Sequence, residues 1–159
     1  MRFEVLAMVS ALLIPHYGLS QDATHLGSVR RLFVGSFGEK PGATELRDDV
    51  ASLLGKSHTV TVVKKPEEAD AVLDGTGEVW VKGHYSLNPR QREVNADSQP
   101  IYGGYLSVEL KGKGDETLWS YLVTPNPHVT GDIHKDLAGH VVKKLLEAIK
   151  LEVVSKDKR

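Results

Sequence analysis

Hydrophobic and polar positions alternate most strictly over residues 69–82, which read ADAVLDGTGEVWVK. Successive side chains of an extended strand take opposite faces, so Ala71, Leu73, Gly75, Gly77, Val79 and Val81 share one side while Asp74, Thr76, Glu78 and Lys82 share the other. The first side is expected to be core and the second wet, with Trp80 as an aromatic exception on the wet side. This strand is expected to run to about Tyr85 and to sit at the centre of a sheet.

The other elements follow from similar patterns. Residues 29–37, VRRLFVGSF, are short, β-rich and stopped by Gly38, which predicts a first strand. In residues 44–54 the positions Leu46, Val50, Leu53 and Leu54 recur at helical spacing, and Gly55 stands where a left-handed helix end favours glycine. Residues 58–64, HTVTVVK, predict a second strand, and a strand-helix-strand unit of this length makes a right-handed parallel crossover. Residues 86–100 show neither period and predict a long loop, of the kind that tends to carry function. Alternation resumes over residues 104–111, with Leu106, Val108 and Leu110 on one side, and Gly112-Lys113-Gly114-Asp115 supplies positive-φ residues for a hairpin turn into a last strand at 117–124. In that last strand Leu118 and Leu122 compete with Trp119, Tyr121 and Val123 for the core, and both arrangements remain open. Thr130 or Asp132 caps a final helix in which Ile133, Leu137, Val141 and Leu145 step by four. The resulting order, β-α-β-β-β-β-α, predicts an α+β two-layer sandwich: a mixed five-stranded sheet with both helices on one face.

The first twenty residues change the picture. Arg2, an apolar run from Val5 to Ile14 and the small residues Gly18 and Ser20 have the order of a secretory signal peptide, and the apolar run is shorter than the roughly 20 residues of a membrane span. The expected organisation is a signal peptide at 1–20, a flexible N-terminus at 21–28, one domain at 29–150 and a charged, frayed tail at 151–159. With no cysteine, neither a disulfide framework nor a lipid anchor on a thiol is available. Export to the periplasm or beyond is the expectation, with no membrane span after cleavage. Twenty basic and twenty-one acidic residues give a net charge of −1, which argues against a nucleic-acid partner.

Candidate chemistry is sparse. His134 and His140 are six residues apart, about 240° around a helix, so they cannot share a metal there. Gly75-Thr76-Gly77 lies inside a strand with no helix after it to receive a phosphate, which leaves close backbone approach as the better reading of these glycines. Gly35-Ser36-Phe37-Gly38 lacks the Gly-x-Ser-x-Gly spacing of a nucleophile turn. The acidic pairs Asp48-Asp49, Glu67-Glu68 and Asp115-Glu116 are adjacent residues, which do not face one another as an acid-base pair must. No enzyme activity and no cofactor or metal are expected. The distinctive feature is the aromatic content of the wet sheet face, Trp80 and Tyr105, which Trp119 and Tyr121 join in one arrangement of the last strand. Trp80 and Tyr105, with Arg90 and Arg92 of the adjoining loop, form the expected binding surface. The alternative, that the loop folds over the rings and completes a core, is equally open.

Together, the leader, LFVGSF, ELRDDVASLL, VTVV, ADAVLDGTGEVW and YLSVELKGKGDETLWSYLV resemble the small envelope domains related to the N-terminal domain of the translocation protein TolB. The same plan recurs in the curli-secretion channel subunit and the outer-membrane activators of peptidoglycan synthases. The segments SLNPR and IYGGYLSVELKG resemble exported bacterial domains of unknown function more closely. The resemblance implies a non-catalytic, periplasmic interaction module that binds an envelope protein or cell-wall component. A small-ligand carrier or hydrolase, with its pocket between the loop and the aromatic face, is the alternative. The mature chain lacks the lipidation cysteine of the channel subunit and the activators, and it has no propeller, so neither specific role carries over. The partner's identity and the oligomeric state are not fixed by the sequence.

Overall fold

The computed structural model describes residues 24–85, 98–126 and 132–157. The expected signal peptide and most of the expected loop at 86–100 lie outside them. Among the described residues five strands and two α-helices follow one another: β1 (Arg31–Val34), α1 (Ala43–Gly55), β2 (Thr61–Val62), β3 (Ala71–Tyr85), β4 (Gln99–Gly112), β5 (Thr117–Val123) and α2 (Ile133–Asp157). The sheet order is β2-β1-β3-β4-β5, with β1 parallel to both its neighbours and β3, β4 and β5 antiparallel. This is the expected α+β fold with a mixed five-stranded sheet.

The core lies between the sheet and the two helices. Leu46, Val50 and Leu54 of α1 and Leu137, Val141, Leu145 and Ile149 of α2 meet Leu32, Val34, Leu73, Leu106, Val108 and Leu110, all of them buried. Each such side chain contributes roughly 1.5–3 kcal/mol through burial. Gly77 matters because a Cβ there would stand 2.6 Å from Leu46 Cδ1. Its bare backbone lets α1 settle onto β3, so helix packing accounts for this mid-strand glycine.

The register also decides the last strand. Leu110, Val108 and Leu106 lie opposite Trp119, Tyr121 and Val123, which places these three on the helix side. The Trp119 and Tyr121 rings stack there at 5.7 Å and 18°. Leu122 points the other way and is exposed. Trp119 and Tyr121 therefore do not join the face that carries Trp80.

Several boundaries differ from expectation for local reasons. The first two strands are shorter than their β-rich sequences, because the chain after Val34 follows β3 irregularly and β2 is an edge. Gly55 ends α1 without a left-handed conformation; the left-handed glycine is Gly42, at the opposite end of that helix (φ 80°). In the 112–116 turn the positive φ falls on Asp115 (61°) rather than on a glycine. Asp132 caps α2 by accepting the His134 N–H at 3.0 Å. That helix continues through Asp157, into residues expected to fray. Within the stretch expected to be flexible, Leu26–Ser28 form a 3₁₀ turn, and Glu152 Oε2 accepts the Gly27 N–H at 3.1 Å, fastening the turn to the end of α2.

Asp70 plays a comparable part at the start of β1. Its Oδ2 accepts the backbone N–H groups of Arg30 (3.1 Å) and Arg31 (2.8 Å), and its Oδ1 accepts from the Arg31 guanidinium (2.9 Å). Burial alone would raise this carboxyl, but the Arg31 and Arg30 donors outweigh it and hold the group below its ordinary value.

Candidate functional site

β3 and β4 outrun the rest of the sheet. On one side β5 stops pairing at Leu106. On the other, the chain leaving β1 follows β3 by backbone hydrogen bonds only as far as Val79, whose N–H donates to Pro41 O at 2.9 Å. Beyond these points β3 and β4 are, among the described residues, a two-stranded arm, Trp80 pairing with Gly103 and the ladder reaching Tyr85 and Gln99.

The arm is apolar on both faces. Trp80 lies on the open face of the sheet. A bulge between Val81 and Gly83 puts Lys82 out of register, after which Ile101 and Tyr85 fall on Trp80's side. Val81 and Tyr102, opposite one another, take the helix side, but no helix among the described residues covers them. All five side chains are exposed, Trp80 by 44% and Tyr85 by 58%. Val81 was expected in the core; it has the right parity but stands past the helices, so the core side of β3 ends at Val79.

Two close contacts shape the arm's base. The indole of Trp80 packs on the backbone of Gly103, and Tyr105 lies on the same face, opposite Glu78. Lys40 Nζ donates to Tyr105 Oη (3.0 Å) and to Glu78 Oε2 (2.9 Å). The hydrogen bond to Tyr105, and then the one to Glu78, push the Lys40 ammonium above the ordinary lysine value. The ammonium is 5.4 Å from the ring centroid because it sits at the hydroxyl end rather than over the ring.

On the helix side, the arm's base borders an open acidic cleft of about 320 Å³ between the N-terminal ends of α1 and α2, lined by Glu45, Asp48, Asp49, Asp132, His134 and Lys135. His134 Nε2 would stand 2.9 Å from a Cβ on Gly42, beside Val79, which places the cleft against the arm. Asp48 pairs with Arg47 and Asp132 with Lys135, whereas Glu45 and Asp49 have no ion-pair partner among the described residues. Among those residues no group of three or more His, Asp or Glu side chains could hold a metal ion, and no helix is long and apolar enough to cross a membrane.

The structure thus brings Trp80 and Tyr105 together on one sheet face, while Arg90 and Arg92 lie outside the described residues. Sequence reasoning missed Val81, Tyr85, Ile101 and Tyr102 as surface residues. The signal was the Ile-Tyr-Gly-Gly-Tyr run, which continues the alternation backwards towards Pro100.

No protein-family model matches the sequence, and no curated protein matches it. Among solved structures, the chain is similar to a PelC dodecamer subunit from Paraburkholderia phytofirmans, at 17% identity and TM-score 0.44, over 74% of this chain and 85% of that one. It is also similar to a protein from Xanthomonas campestris, at 14% identity and TM-score 0.41, over 86% and 90% of the two chains. A neuraminyllactose-binding hemagglutinin homologue from Helicobacter pylori is similar at 12% identity and TM-score 0.41, over 89% and 97%.

Proposed function

We propose that this chain is a non-enzymatic, exported interaction module of the bacterial cell envelope, which engages a protein or cell-wall partner through the β3–β4 arm and the open sheet face at its base. The observation that carries the reading is the concentration of Trp80, Val81, Tyr85, Ile101 and Tyr102, all exposed, on one ribbon that projects past the core. Clustered exposed apolar side chains mark interaction sites, and aromatic residues supply large contact area at low entropic cost. Export rests on the leader at 1–20.

The test is capture of envelope material, from periplasmic extract and from purified cell-wall sacculi, on the immobilised protein. Trp80→Ala and the pair Arg90→Ala with Arg92→Ala are expected to weaken capture with a melting shift of only a few degrees. Glu67→Ala, at an exposed position in the connector between β2 and β3 and away from the arm, is expected to leave capture unchanged. Equal capture by the wild type and the Trp80 variant would remove the arm from the binding surface.

A further inference from the structure

We infer that two copies of this chain pair through the outer edge of β5, antiparallel about Tyr121, and join their sheets into one. The inference goes beyond the reading of the arm and does not depend on it. β5 is the last strand of the sheet, and among the described residues no strand pairs with its outer side. An open strand edge presents a row of backbone donors and acceptors, so its natural occupant is another strand. The chain guards its other edges. β2 is two residues long and runs into Lys64-Lys65-Pro66, and the arm carries Lys82 out of register on one strand and Pro100 on the other. β5 has one irregularity, at Leu118, after which Trp119 to Val123 pair with β4 without a break. From Thr117 to Thr124 there is no charged residue, no glycine and no proline.

The edge is complementary to itself. Its regular stretch is centred on Tyr121, so self-pairing sets Tyr121 against Tyr121 of the second copy, Trp119 against its Val123 and Ser120 against its Leu122, which is 62% exposed in the single chain. The charges agree. α2 packs over β4 and β5. The hydrogen bond to Glu147 raises the Lys144 ammonium and Tyr121 adds a smaller contribution, which places the half-exposed Lys144–Glu147 pair beside the centre of the edge. A twofold axis through Tyr121 runs the two α2 helices antiparallel, so Lys144 of each copy faces Glu147 of the other. Asp136 and His140, further along the same flank, then fall opposite Ser155 and Leu151, and Lys143 and Lys150 lie on the outer face of the helix. In the sheet, the two Glu109 side chains are three strand spacings apart, about 14 Å, beyond the screening length of about 8 Å. Lys111 pairs with Asp115, and Lys113 and Glu116 belong to the turn outside the paired stretch.

Sedimentation velocity over a wide concentration range tests this on the wild type and on Leu122→Lys, Lys144→Glu and Glu147→Lys. These positions are exposed or half-exposed, and unchanged thermal melting checks that each variant folds. The wild type is expected to form a dimer and nothing larger, because a contact between identical patches closes on itself. Leu122→Lys sets two ammonium groups on diagonal positions about 7–8 Å apart, and is expected to weaken the dimer at least about tenfold through like-charge repulsion. Lys144→Glu alone and Glu147→Lys alone are each expected to weaken it as well, since each flank then meets its own sign. Their equimolar mixture is expected to restore the dimer, because one flank is now acidic and the other basic. Backbone amides of residues 119–123 are expected to exchange hydrogen more slowly in the wild type than in Leu122→Lys. A wild type that is monomeric throughout overturns the inference, as does a dimer that Leu122→Lys leaves intact or a mixture that associates no better than its components. A monomeric wild type whose outward β5 amides are still protected overturns it in favour of a segment of the same chain lying along the edge. If the wild type is monomeric yet capture of envelope material depends on Trp80, only this inference falls; if it is a dimer that captures nothing, only the reading of the arm falls.

Discussion

The Trp80 indole occupies the space that a side chain on Gly103, its cross-strand partner, would fill: a Cβ at Gly103 would stand 2.7 Å from both Cε2 and Nε1 of the ring. The glycine gives the strand no side chain of its own, and the indole covers its backbone. Gly103→Ala is therefore expected to destabilise the protein by about 1–2 kcal/mol, by forcing the ring off its seat. In a Trp80→Ala background the same change is expected to be neutral or mildly stabilising, since alanine restricts the unfolded chain. A double-mutant cycle by chemical denaturation checks the reversal of sign; equal costs in both backgrounds would refute the contact.

The two faces of β3 are expected to respond differently to the same charge. Leu73 is fully buried, and Leu73→Asp places an unpaired carboxylate in the core at an expected cost above about 4 kcal/mol. Thr76 is exposed on the open face, opposite Ser107. Thr76→Asp is expected to cost less than about 1 kcal/mol, most of it from the like charges of Asp74 and Glu78 on the same face. Equal melting temperatures would show the faces to be reversed.

Asp70 links folding to acid. Its carboxyl is held below the ordinary value of 3.8 in the folded protein, so its contribution is fully present above that pH and is lost as the pH falls through the lower folded value. Asp70→Asn is expected to lower stability at neutral pH by roughly 1.5–3 kcal/mol, the range for hydrogen bonds to a charged group. The variant should also lose less stability than the wild type below about pH 4. Parallel stability curves from neutral to acid pH would contradict this role.

Export is expected to remove the leader after Ser20. N-terminal sequencing of protein expressed from Met1 in a bacterial host should begin at Gln21, in material recovered from the periplasm. Intact Met1 in cytoplasmic material would rule the leader out.

The sheet's centre was legible because residues 71–79 alternate without interruption, and burial on one side enforces that period. The last strand was not, since its apolar residues occupy both parities and only pairing with β4 selects Trp119, Tyr121 and Val123. The arm was half legible. Trp80 stood out, but residues 86–100 read as loop and alternation resumes only at Gly104, so the place of Pro100 and Gly103 in β4 follows from pairing with β3 rather than from local preference. The clamp between Glu152 and Gly27 joins residues 125 apart, a separation at which no local pattern gives warning.

The Lys82 bulge gives the arm a second property. A long, flat, apolar ribbon with open edges is a template on which further strands can pile without limit. Here an out-of-register lysine kinks one strand and Pro100, lacking an N–H, interrupts the other. The faces of the arm remain adhesive while its edges resist growth by strand addition.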